Sequence, residues 1–228
     1  MVAIGRLAGY NSTASYNTFV GETAGYTNST GTSNTALGNT SGYRAGYSNT
    51  TGESNVAVGT QALANNTTAN NNSALGYQAL HFNTTGANNT AVGREALEAN
   101  TTASWNTAVG YRASYSNTTG ADNTAMGNDT LFSNTTGISN TGIGANALGD
   151  STTGNYNVAI GRQALRSNTT ASYNTAVGYQ AGYANTIGTH NTAIGYVAGS
   201  ALTTGGNNVA LGSRALNLTT TGSANTAL

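Results

Sequence analysis

Residues Asn72 to Asn88 read N-S-A-L-G-Y-Q-A-L-H-F-N-T-T-G-A-N, and close variants of the same phrase flank them on both sides. The leading Asn recurs at 17, 34, 55, 72, 89, 106, 123, 140, 157, 174, 191, 208 and 225. The interval is seventeen residues except between Asn34 and Asn55, where it is twenty-one and residues 39–42 read as a four-residue insertion. One unit of so short a period cannot bury an apolar side alone and must stack on its neighbours. The fold expected is all-β, a repeat solenoid of the parallel β-roll type. It would be one continuous domain over 1–228, with about thirteen coils of 17 residues each. Neither end carries an atypical capping unit, so the chain reads as a segment, or as a subunit whose ends other chains cover.

Numbering the unit from its Asn, position four is apolar in every complete coil. These residues, the expected core, are Val20, Leu37, Val58, Leu75, Val92, Val109, Met126, Ile143, Ile160, Val177, Ile194 and Leu211. Position three is nearly always Ala and position eight mostly Ala. Short alternating stretches bounded by Gly and Asn/Thr clusters read as strands, and seventeen residues leave room for about two strands of four residues plus turns. Position five is Gly21, Gly38, Gly59, Gly76, Gly93, Gly110, Gly127, Gly144, Gly161, Gly178, Gly195 and Gly212. A Gly fixed in phase implies a positive φ or a sharp turn. The Asn at position one is expected to bond the equivalent group one coil away as a ladder. At position nine, Leu alternates with Gly or Ser, and where Leu is missing position ten is usually Tyr. That exchange suggests one gap filled by either side chain.

The chain has no Cys, no Pro and no Lys, and its seven Arg are balanced by seven Asp and Glu. Absence of Cys excludes disulfides and thiolate metal sites. A neutral chain with so few charges offers no electrostatic footprint for nucleic acid. Its apolar runs are too short for membrane insertion of this segment. A coil contributing one Val or Leu, two Ala and one Leu or Tyr buries little, so several chains are expected to associate along their length and share a core.

The phrase N-T-A-V-G, varied as N-V-A-I-G (Asn157 to Gly161) and N-V-A-L-G (Asn208 to Gly212) and followed by x-x-A, resembles the head repeats of YadA-type trimeric autotransporter adhesins. Similar repeats occur in fibrous phage tail and bacterial surface proteins. The resemblance implies a left-handed β-roll with three chains around one axis. It also implies an extracellular, cell-surface or virion fibre that acts as a stiff spacer or display surface. The partners implied are a homo-oligomer, end-to-end fibre neighbours, and a host or matrix surface. This unit is longer than that family's usual one, with S-N-T-T-G added as an outer loop.

Eight coils place Asn in an N-S/T-T sequon at position twelve: Asn28, Asn49, Asn66, Asn83, Asn100, Asn117, Asn134 and Asn168. On exposed loops these would accept N-glycans, although N-T-T-G is also ordinary turn chemistry. Catalysis has little support and the chain is expected not to be an enzyme. His81 and His190 sit at different positions of the unit, no acid–base pair recurs, and Glu95 and Glu98 are not expected to share a face. No metal or cofactor motif is present: the Asp residues are scattered and the calcium-binding β-roll repeat is absent. The alternative class is an ice-binding or carbohydrate-binding β-solenoid, carried by Thr at positions two, thirteen and fourteen and by Tyr/Asn ladders. Thr regularly spaced on one flat face would favour ice, and apolar stripes would favour a fibre.

Overall fold

The computed structural model describes residues 1–38 and 44–228. The insertion expected at 39–42, with its Asn39 sequon, lies outside the described residues. The chain divides into two compact units, Met1–Thr119 and Gly120–Leu228, and each is a parallel β-solenoid. The first unit carries β1 (Val2–Ile4), β2 (Thr18–Val20), β3 (Thr35–Leu37), β4 (Val56–Val58), β5 (Ser73–Leu75), β6 (Thr90–Val92) and β7 (Thr107–Val109). The second carries β8 (Thr124–Met126), β9 (Thr141–Ile143), β10 (Val158–Ile160), β11 (Thr175–Val177), β12 (Thr192–Ile194), β13 (Val209–Leu211) and β14 (Thr226–Ala227).

Like pairs with like along each sheet: Ala74 faces Ala91, and Val177 faces Ile194. The first coil is a residue short, because Val2 pairs with Thr18.

Strands β1 to β13 are positions two to four of the unit, β14 stops at position three, and the period of two decides which side chain goes in. Position three is buried, as at Ala74, Ala91 and Ala108, while position four stands outside, with Val109 37% and Leu75 47% exposed. This corrects the sequence expectation. Within one chain the core is not built on Val20, Leu37, Val58, Leu75, Val92, Val109, Met126, Ile143, Ile160, Val177, Ile194 and Leu211, all of which are half-buried or exposed. The coil is too narrow to take both rows. Except at Phe19, the smaller side chain enters, and the larger one faces out on the same surface as position two.

Each coil has one strand rather than two. Positions seven and nine adopt left-handed backbone, as at Gln78 (φ 55°) and Leu80 (φ 52°), so the second side is a chain of turns. Stacking bonds continue there nonetheless: Leu63 N donates to Ala79 O at 2.9 Å and Asn65 N to His81 O at 3.2 Å. A left-handed Leu costs on the order of 1 kcal/mol. Burial offsets it, since Leu63, Leu80, Leu97, Leu131, Leu148 and Leu165 are the large aliphatic side chains of the core.

At position five, Gly59 has φ 123°, and a Cβ there would stand 2.7 Å from the carbonyl oxygen of Gly76 in the next coil. Both conformation and close approach therefore require glycine.

The Leu-or-Tyr exchange has a different cause from the one expected. At Gly9 and Gly199 the space is taken by side chains from other positions. A Cβ on Gly9 would strike the Phe19 ring at 2.7 Å, and one on Gly199 would lie 3.1 Å from Leu202 Cδ1. Phe19 comes from position three and Leu202 from position twelve, and both are buried. The rings of Tyr10, Tyr26 and Tyr47 stack on one another outside the core instead, with centroids 5.5 and 5.3 Å apart.

Candidate functional site

The repeat turns each position into a row of side chains, so the candidate site is a surface made of rows. Two rows face inward and are polar. At position one, Asn55 Oδ1 accepts from the Asn72 backbone N–H at 3.0 Å, while Asn55 Nδ2 donates to Ala69 O at 2.8 Å. This is the expected ladder, with the backbone N–H as donor. A second ladder, at position twelve, was not expected. Asn66 Nδ2 donates to Asn49 Oδ1 at 2.9 Å and to Ala69 O at 3.0 Å, and the pattern repeats through Asn83 and Asn100. The signal for it was the small residue, Gly or Ala, three places on, whose carbonyl the amide caps.

That ladder corrects the glycosylation expectation. Asn28, Asn49, Asn66, Asn83, Asn100, Asn117, Asn134 and Asn168 are all buried. A glycan is carried on Nδ2, and here that atom lies inside the coil. Other sequons, at Asn11, Asn71, Asn88 and Asn128, are exposed. Where the ladder is interrupted the cost is visible: Leu202 replaces the next Asn, and Asn185 Oδ1 is buried with no partner. Beside this row, Thr67 Oγ1 donates to Thr84 O at 3.1 Å, and Thr84 Oγ1 to Thr101 O at 3.0 Å. Thr at position thirteen is therefore occupied internally, and position fourteen stands exposed.

Charged and aromatic groups gather on the turn side of the first unit. Arg94 lies between the rings of Tyr77 and Tyr111, with its guanidinium carbon 5.5 and 5.7 Å from their centroids, and it pairs with Glu95 at 2.8 Å. Burial pushes the Glu98 carboxyl above its usual range, and the charge of Glu95 adds to the effect. The two glutamates are thus within electrostatic reach of each other. The Glu98 charge in turn raises the Tyr115 phenol, which bonds to it. His81 faces Glu98 as well, and its Nδ1 lies 3.2 Å from Gln61 O. Each of these side chains has a partner. His190 belongs to the second unit, where it stacks on Tyr173 at 4.9 Å.

Among the described residues, no group of three or more His, Asp or Glu could hold a metal ion, and no helix is long and apolar enough to cross a membrane. The outward face of the strands is uncharged in both units. Position two is Thr, Ser or Val, and position four is Val, Leu, Ile or Met. Comparison with protein families, curated proteins and solved structures finds no match for this chain.

Proposed function

We propose that the chain is a structural and adhesive segment of an extracellular fibre, at a cell surface or on a virion, and that it associates with copies of itself. The observation that carries this reading is the outward row at position four. A narrow coil leaves the aliphatic side chains of position four outside, in line and without a charge among them. A continuous apolar surface of this kind marks an interface, and an in-register parallel row offers the same row to each partner. Three chains around one axis, in a left-handed roll, is the arrangement the family resemblance favours. The two buried Asn ladders suit the role of a stiff spacer, since bending would strain amide bonds inside each coil. The experiment is the absolute mass of the chain in solution by light scattering. A mass near three chains supports the reading, and a single-chain mass overturns it.

A second reading, ice binding, is favoured by one observation: Thr at position two lies on the same sheet face as position four, so methyl groups of both rows repeat at the coil spacing of about 4.8 Å. Thermal hysteresis in a freezing assay, with a single-chain mass, would select it.

A further inference from the structure

Position seventeen is a row in left-handed backbone at every described coil, and its usual occupants suit that conformation: Ser33, Ser54, Asn71, Asn88, Asp122, Ser139 and Asn207. Short polar side chains tolerate positive φ and bulky ones do not. Trp105 holds the same conformation at φ 59°. The left-handed Leu side chains of position nine are explained by burial, and the rings of Tyr156, Tyr173 and His190 by stacking on each other at 5.2 and 4.9 Å. Trp105, the only Trp of the chain, has neither explanation. It is 63% exposed, and no ring among the described residues lies on it. A strained residue with no packing reason points to a use outside the fold.

The row beneath it supplies the rest of a site. Asn71 Nδ2 donates to Asn88 Oδ1 at 3.2 Å, which leaves Asn71 Oδ1 as an acceptor and Asn88 Nδ2 as a donor. Both residues are exposed, and neither atom has a partner among the described residues. Backbone bonds hold the row in place: Asn88 N donates to Asn70 O, and Trp105 N to Ala87 O, each at 3.1 Å. An indole with a free face followed by two amides spaced at about 4.8 Å presents one apolar platform and then a donor and an acceptor along one line. Tyr16, also exposed in left-handed backbone, has Ser33 and no amide pair beside it. Asn71, Asn88 and Trp105 carry no charge; the next residue of position seventeen, Asp122, belongs to the second unit.

We infer that Asn71, Asn88 and Trp105 form a binding site for a neutral, β-linked hexopyranose chain lying along the coil axis. The C–H face of one equatorial pyranose rests on the indole. Hydroxyls of the next sugars meet Asn88 Nδ2 and Asn71 Oδ1, and the coil spacing is close to the advance of one sugar along such a chain. The inference rests on the reading of this protein as an adhesive display surface, whose ligand class it names.

Trp105 as sole tryptophan makes the test direct. The assembled protein is titrated with cellohexaose and with chitohexaose while tryptophan emission and its quenching by acrylamide are followed. The expected result, with at least one of the two, is a saturable blue shift with protection from acrylamide. Trp105→Asn, which installs the residue of the two preceding coils, should keep the assembly mass and weaken binding at least tenfold by calorimetry. Asn88→Ala should weaken it less and leave the emission of the free protein unchanged. No saturable change with either hexaose overturns the inference, as does equal binding by Trp105→Asn. Loss of sugar binding in a protein of three-chain mass sinks this site alone. Sugar binding by a single-chain species sinks the fibre reading alone.

Discussion

Asn83 Nδ2 donates to Asn66 Oδ1 at 2.9 Å, so the sequon asparagine of one coil is held by the sequon asparagine of the coil before it. The N-T-T-G turn therefore uses its amide internally, and its place in a glycosylation motif is incidental to the fold.

Expressed through a glycosylating secretory route, the folded protein should carry no sugar at Asn28, Asn49, Asn66, Asn83, Asn100, Asn117, Asn134 or Asn168. Any sugar should map to exposed sequons such as Asn128. Glycopeptide mass spectrometry after deglycosylation in heavy water checks this. Occupancy at Asn66 or Asn83 in protein that retains its folded spectrum would mean that the ladder is not closed.

Replacing Asn83 with Ala removes its bonds to Gly86 O and from Asn100 Nδ2, and it strands Asn66 Oδ1, which otherwise accepts from Asn83 Nδ2 at 2.9 Å. A stranded buried polar group costs about 1–3 kcal/mol, so the loss should be on the order of 3 kcal/mol. Thr85→Ala, on the exposed row two residues along, should change stability by less than about 0.5 kcal/mol. Urea unfolding of the two variants separates them, and similar midpoints would contradict a buried ladder.

The double variant Val92→Asp, Val109→Asp distinguishes an outer face from a core. Both side chains lie outside within a single chain, so the isolated coil should lose only about 1 kcal/mol, mostly from two like charges on neighbouring strands. An interface between chains would instead bury unpaired carboxylates. Light scattering should then give a single-chain mass while circular dichroism keeps its β signal. Unfolding at the same concentration would place position four in the core after all.

Glu98 titrates higher in the fold than in the unfolded chain, because burial and the neighbouring Glu95 disfavour its charge. A raised carboxyl binds more protons folded than unfolded, so its effect on stability is most favourable below the unfolded value of about 4.3. The benefit is lost as pH rises through the folded value. Glu98→Gln should accordingly raise the melting temperature at pH 7 slightly and flatten its fall between about pH 4 and the folded value. A variant whose melting curve falls with pH as steeply as the parent would show that Glu98 is not the group responsible.

The period was legible because identical residues seventeen apart leave few other architectures. Parity was not: positions three and four are both apolar, and nothing in N-T-A-V-G says that the inside has room only for Ala. Leu at position nine could be read as core from its exchange with Gly. That the exchange is balanced by Phe19 and Leu202, from other positions, needed coordinates. The missing second strand has a similar origin. Gln78 and Leu80 carry no local signal for left-handed backbone, which closing the coil imposes on them. Sequon burial was hidden because Thr and Gly in a turn signal exposure, and only the stacked carbonyl at position fifteen turns the amide inward.

The ladders join like to like: Asn to Asn, Gly against Gly, Thr to Thr. Within each unit, the upper surface of a coil is thereby complementary to the lower surface of its neighbours in the same terms at each step. Gaining or losing one whole coil would reconnect identical partners and disturb no bond on either side, whereas gaining a single residue shifts every row. Gene duplication in multiples of the period is therefore nearly free of structural consequence. Length can drift in evolution as an independent variable, tuned by recombination in whole coils.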